Sequence, residues 1–172
     1  ERIERIARDL GYTRNEFAAS ISNRNSKIIA FVIDEMGSIE YTGRIQNGIF
    51  DAATSLGYAV ILHHLDDRST DEIYQKIMGW RPAGVIFHTA SLSAVSELST
   101  RFDEHSLPYG FVNLDNPGGL GITTDDRQGI FDAVKHFHNT NCKNIAYLSH
   151  PTKTKNTSEF TICREEAFKN EI

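Results

Sequence analysis

The 172-residue chain contains only two cysteines, four prolines and no catalytic or metal-binding sequence motif. Cys142 and Cys163 are too few for a disulfide framework and suit a reducing compartment. The histidines form no pair at the spacing of a metal site, so we predict no metal and no other cofactor. No phosphate-binding glycine loop or nucleophile elbow occurs, which argues against an enzyme.

Long hydrophobic runs are also missing. No stretch reaches the ~18 uninterrupted apolar residues of a membrane span, and the charged N-terminal segment is not a secretory signal. We therefore predict a cytoplasmic protein with no membrane partner.

The net charge of −5 is unevenly distributed along the chain. Residues 1–27 carry six basic and four acidic side chains, whereas the rest of the chain is acidic. This distribution permits nucleic-acid contact at one end only, although charge alone favours a charged surface helix as the explanation.

Strand and helix patterns alternate from residue 28 onward. Apolar runs rich in β-branched residues predict five buried strands, at residues 28–33, 59–62, 84–87, 109–112 and 145–148. Amphipathic helical patterns separate them, and Gly57 follows the first of these helices at the position of a C-terminal cap. The alternation predicts an α/β fold with a doubly wound parallel sheet, which binds ligands beyond the carboxyl ends of its strands.

The chain is predicted to have three parts. Residues 1–27 form the end of one amphipathic helix, closed by Gly11, and a second short helix capped by Asn15. Residues 28–141 form an α/β subdomain, and residues 142–172 begin another. Because the helices at both ends need packing partners that the sequence does not supply, we expect the chain to be truncated at both ends.

Seven short motifs, in order, resemble the LacI/GalR family of bacterial transcription regulators. The first, Leu10-Gly11-Tyr12 followed by Asn15, Ala18 and Ile21, is similar to the segment that joins the family's DNA-binding headpiece to its hinge helix. The other six are Gly48-Ile49 with Gly57-Tyr58, AGVI at 83–86, LPY at 107–109 with Val112-Asn113, DDRQG at 125–129, NIAYL at 144–148 and REEAF at 164–168. Each motif is weak by itself, but seven at plausible spacing point to the family.

The resemblance implies a truncated core similar to type I periplasmic binding proteins, with a short helical N-terminal arm. It implies a transcription repressor that binds operator DNA as a homodimer and a sugar-like effector between two α/β subdomains. The hinge contacts to DNA would be Arg14, Asn15, Ala18 and Ile21, with Ile21 wedged into the minor groove. From the residues alone, the same segment could be a linker whose Ile21 packs on the core.

The resemblance also implies three effector contacts. Arg164 matches the family's effector-contacting arginine, and Asp125 matches the acid at the start of the DDRQG helix. Tyr41 stands where the family places an aromatic residue after the first strand, and its ring could stack on a sugar. The alternatives are a helix-surface arginine, a helix-capping aspartate and a surface tyrosine.

Two other functions are compatible with the predicted architecture. An extracytoplasmic sugar-binding protein would have the same fold, but the segment before residue 23 argues against it. An enzyme on a flavodoxin-like sheet would need a catalytic constellation that the sequence does not contain.

Overall fold

The computed structural model describes residues 2–12, 26–33, 40–65, 69–88, 92–113, 120–149 and 159–172. The chain divides into two compact units, Glu1–Gly110 and Phe111–Ile172. The predicted domain boundaries after residues 27 and 141 stay predictions. The elements in chain order are α1 (Arg2–Asp9), β1 (Ile28–Ile33), α2 (Glu40–Ser55), β2 (Ala59–His64), α3 (Thr70–Gly79), β3 (Gly84–His88), α4 (Leu92–Glu104), β4 (Tyr109–Val112), β5 (Leu120–Ile122), α5 (Asp126–Asn139) and α6 (Glu159–Glu171).

The sheet of the first unit has the strand order β2-β1-β3-β4. β1 runs parallel to both of its neighbours, with Ile29 opposite Val60 of β2 and Gly84 of β3. β4 begins beside β3, where the backbone N–H of Val85 donates to the carbonyl of Pro108 at 2.9 Å. These strands lie where the apolar runs placed them, so the predicted parallel sheet is confirmed.

Helices cover both faces of this sheet. Phe31 in β1 meets the ring of Phe50 in α2 edge-on, with ring centroids 5.9 Å apart. Phe87 in β3 stands opposite Val32, the residue after Phe31. The side chain of Phe87 therefore points to the face of the sheet opposite that of Phe31. There the Phe87 ring centroid lies 6.2 Å from that of Phe102 in α4. This is the doubly wound arrangement that the sequence predicts.

Gly57 ends α2 in the way its position predicts. Its φ of +74° is in the left-handed region, and the N–H of Gly57 donates to the carbonyl of Thr54 at 2.9 Å. The next N–H, of Tyr58, donates to the carbonyl of Ala53 at 2.8 Å. These two bonds form a Schellman motif, which satisfies the last carbonyls of the helix and directs the chain into β2.

The second unit contains β5 and two helices that are in contact, α5 and α6. β5 is hydrogen-bonded to the residue that follows β4, because the N–H of Asn113 donates to the carbonyl of Ile122 at 2.8 Å. The hydrophobic pattern of the sequence predicts no strand at Leu120–Ile122. Three exposed residues are too few to show a hydrophobic period, so only the backbone pairing reveals this strand.

The strand predicted at residues 145–148 is also wrong. The segment has no strand in the structure, although the Tyr147 ring stacks on Phe168 of α6 with centroids 5.0 Å apart. Leu148, next to it, is 98% exposed. A strand needs a neighbour to accept and donate its backbone hydrogen bonds, and this segment is not paired as a strand with any described residue. Tyr147 therefore packs on α6, Leu148 is exposed, and the segment joins no sheet among the described residues.

Candidate functional site

A charged pair joins the two helices of the second unit. Nε of Arg164 in α6 donates to Oδ1 of Asp126 in α5 at 2.7 Å, and Nη2 forms an ion pair with the same oxygen, also at 2.7 Å. The Asp126 side chain is 15% exposed and the Arg164 side chain 42%. The carboxylate is thus the inner partner, and the guanidinium keeps an open side that a ligand can reach.

Asp125 holds the start of α5. Its carboxylate accepts the backbone N–H of Gln128 at 2.9 Å, which makes it the N-cap of the helix. Its backbone carbonyl accepts the N–H of Gly129 at 3.0 Å. The cap fixes the first helical turn, from which Asp126 reaches Arg164. The proposed effector contact of Asp125 stays a prediction, because the structure pairs Arg164 with the next residue.

An aromatic ring flanks the guanidinium. The Cζ atom of Arg164 lies 5.1 Å from the ring centroid of Phe160, one helical turn earlier in α6, and Phe160 is 38% exposed. The cation is attracted to the face of the ring. A cationic hydrogen-bond donor, a carboxylate acceptor and an apolar ring therefore meet at an accessible surface. This is the combination that binds small polar molecules with an apolar face.

The sequence points to Arg164 as a site candidate but not to Asp126 and Phe160, which contact it in the structure. The Asp125-Asp126 pair at the start of a predicted helix did carry a signal. One carboxylate is needed for the cap, which leaves the other for a cation. The sequence could not say which helix would supply that cation. Phe160 lies four residues before Arg164, and residues at that spacing are neighbours on a helix surface.

Tyr41 lies in the first unit. It is the second residue of α2, directly after the chain leaves β1, and 47% of its surface is exposed. An exposed ring at this position can take part in stacking. Its role as an effector contact stays a prediction.

The four predicted hinge residues, Arg14, Asn15, Ala18 and Ile21, lie outside the described residues, so the hinge also stays a prediction. The helix before them is present as α1. It ends at Asp9 and is closed by Gly11, whose φ is +68°, with the N–H of Tyr12 donating to the carbonyl of Ala7 at 2.8 Å. The apolar side chains of Ile3 and Leu10 are exposed.

The described parts of the chain contain no cluster of three or more histidine, cysteine, aspartate or glutamate side chains placed to hold a metal ion. None of their helices has the length and hydropathy needed to cross a bilayer.

No family model matches the chain, but two curated proteins are similar to most of it. Catabolite control protein A of Priestia megaterium is 26% identical over 151 residues, which cover 86% of this chain and 44% of that protein. The HTH-type transcriptional regulator DegA of Bacillus subtilis (strain 168) is 24% identical over 157 residues, covering 86% of this chain and 45% of that protein. The chain spans less than half the length of these relatives.

Solved structures share the fold. A lac repressor dimer bound to operator and the anti-inducer ONPF superimposes with a TM-score of 0.80 and 16% identity, over 98% of this chain and 51% of that one. A LacI family regulator, CCPA of Weissella paramesenteroides with bound glucose, superimposes with a TM-score of 0.71 and 17% identity, over 84% of this chain and 52% of that one. The α/β architecture predicted from the sequence is therefore that of the core of these regulators.

Proposed function

We propose that the protein is a ligand-responsive transcription repressor, as its resemblance to the LacI/GalR family implies and its similarity to these relatives supports. It would bind operator DNA as a homodimer and change its DNA affinity when a sugar-like effector binds. The observation that carries the proposal is the alignment of 86% of the chain with two bacterial regulators. The relatives are regulators of transcription rather than enzymes, which favours a binding function.

The effector contact is proposed at Arg164. Its partly exposed guanidinium is held by Asp126 and flanked by the Phe160 ring. An arginine fixed in this way can donate to ligand hydroxyl oxygens without losing further side-chain freedom. Asp125 and Tyr41 are proposed as additional contacts, the first through its carboxylate and the second through its exposed ring. A solved relative that holds glucose supports a sugar as the ligand class.

The DNA contact is proposed at the segment that contains Arg14, Asn15, Ala18 and Ile21. The spacing of these residues after Leu10-Gly11-Tyr12 supports a hinge helix. A solved relative is a dimer bound to its operator, which supports the same partner and assembly here. In this proposal Ile21 unstacks a base step from the minor groove, Ala18 allows close pairing of two hinge helices, and Arg14 and Asn15 contact phosphates.

The test measures operator affinity of the intact protein with and without sugars, using DNA selected from a random pool. We expect one sugar to change the affinity, and Arg164→Ala to abolish that response while ligand-free DNA binding stays intact. Lys169→Ala is the matched control, because Lys169 lies on the same helix but pairs with Glu165. An Arg164→Ala protein that responds like the wild type would remove Arg164 from the effector site.

A further inference from the structure

We propose that Asp126 makes the Arg164 site select a neutral polyhydroxylated ligand and reject an anionic one, such as a sugar phosphate or sugar acid. This inference rests on the proposed function, because it takes Arg164 as the effector contact. It adds the charge class of the ligand and assigns that choice to a residue outside the predicted site.

The first support is the geometry of the pair. Nε and Nη2 form the side-on edge with which an arginine grips a carboxylate or phosphate at two points. In Arg164 both of these nitrogens already lie 2.7 Å from Oδ1 of Asp126. A ligand that approaches the open side therefore meets the remaining N–H groups of a guanidinium whose charge Asp126 already balances, so an anionic ligand would have to compete with that carboxylate.

The second support is the local charge. Asp126 lies in the first turn of α5, where the helix dipole favours a negative side chain. Asp125 adds a second carboxylate at the same helix end. One carboxylate thus pairs with the guanidinium, and a second lies at the same helix end, before any ligand arrives. An anion gains no net attraction there, whereas a hydroxyl can accept from the guanidinium and donate to a carboxylate oxygen.

The chain offers a matched control for removing this charge. Asp132 lies on the same helix as Asp126 and accepts a hydrogen bond from the Gln128 side chain at 2.9 Å. It is exposed, and its described partner is Gln128 rather than Arg164. Asp126→Asn and Asp132→Asn therefore remove the same charge from the same helix, but only the first frees the arginine.

The first experiment is calorimetric titration of the intact protein with pairs of probes, each pair being a neutral sugar and its phosphate. The pairs are glucose and glucose 6-phosphate, galactose and galactose 6-phosphate, ribose and ribose 5-phosphate, and trehalose and trehalose 6-phosphate. We expect the wild type to bind a neutral member more tightly than its phosphate. Asp126→Asn should raise the affinity for the phosphate about tenfold, as expected for removal of one nearby like charge. Asp132→Asn should leave the preference unchanged. A wild-type preference for the phosphate, or equal effects of the two substitutions, would overturn the proposal.

The second experiment needs no sugar ligand. Inorganic phosphate is titrated into the intact protein while the Nε–H signal of Arg164 is followed by NMR. We expect the signal to shift in Asp126→Asn at phosphate concentrations that leave the wild type unchanged. An equal shift in the wild type would overturn the charge selection. If this result is as expected and no sugar of either class binds, the proposed sugar effector is wrong while the charge selection holds.

Discussion

Phe102 is the centre of an aromatic cluster in the first unit. Its ring centroid lies 5.8 Å from that of Tyr74, 6.2 Å from that of Phe87 and 6.4 Å from that of Tyr109. These rings come from α3, β3 and β4, so one side chain ties two helices to the sheet. Rings at such distances stabilise a core beyond their burial alone. Tyr109 differs from the others because its hydroxyl donates to Oδ2 of Asp103 at 3.0 Å.

The pKa of Tyr109 is expected to lie above the ordinary value of 10.0. Burial of the phenol is the main cause, and the hydrogen bond to Asp103 and its negative charge act in the same direction. Because the folded state favours the neutral phenol, its stabilising contribution is present below pH 10 and is lost as the pH rises through the raised pKa. Tyrosinate absorbance, compared between the wild type and Tyr109→Phe, isolates this titration.

Asp103→Asn gives the corresponding control. It removes the charge but keeps a side-chain oxygen near the phenol, so the pKa of Tyr109 should fall part of the way toward its ordinary value. Burial of the Tyr109 phenol should maintain the rest of the pKa shift. An unchanged titration in Asp103→Asn would show that the carboxylate has no part in it.

The ends of helices depend on single backbone conformations, and α2 allows a direct comparison. Gly48 lies inside the helix and Gly57 just after it, and a Cβ atom at either would meet no other atom within 4 Å. The two positions therefore differ in backbone conformation alone. Gly57 has a φ of +74°, which costs an L-residue roughly 1 kcal/mol.

We therefore expect the same substitution to have opposite effects at the two positions. Gly57→Ala should lower the free energy of unfolding by roughly 1 kcal/mol because of left-handed strain. Gly48→Ala should raise it by about 0.5–1 kcal/mol, because alanine favours the helix and restricts the unfolded chain. Urea denaturation of both variants gives the two values. Changes of the same sign would contradict the assigned end of α2.

The sequence predicted the elements that carry their own pattern. The run at Ile28–Ile33 is long, apolar and β-branched, and the structure has a strand with the same bounds. The run at 145–148 has the same character, but a strand also needs a partner that a local pattern cannot reveal. β5 shows the opposite case, because its three residues have no pattern and are assigned by pairing alone. Local hydrophobicity thus predicts which segments can be strands, while pairing decides which of them are.

The candidate site follows the same rule. Arg164 could be singled out by its motif, and the acidic pair at 125–126 could be placed at a helix start. Which of the two carboxylates meets the guanidinium depends on how α5 packs on α6, and that contact joins residues 38 positions apart. A sequence pattern can predict the N-cap, because the capping residues are close together in the chain. It cannot predict the ion pair, because the two residues are far apart in the chain.

The proposed regulator has two binding functions in one molecule, and they can be coupled only if the effector binds two conformations with different affinities. The chain has two compact units, the proposed DNA segment precedes β1, and Arg164 lies in the second unit. In this proposal, an effector at Arg164 would act on DNA affinity at a distance along the chain. Such coupling is an equilibrium property, so it must operate in both directions.

The last prediction follows from that reciprocity. If the effector changes operator affinity by some factor, bound operator must change effector affinity by the same factor, typically about 5–150-fold. Titrating the sugar into the intact protein with and without saturating operator gives one factor, and titrating operator with and without the sugar gives the other. We expect the two factors to be equal in the wild type. In Arg164→Ala both factors should fall to 1, which means that neither ligand changes the affinity for the other. Unequal factors in the wild type would mean that the sugar does not act through equilibrium coupling of the two sites.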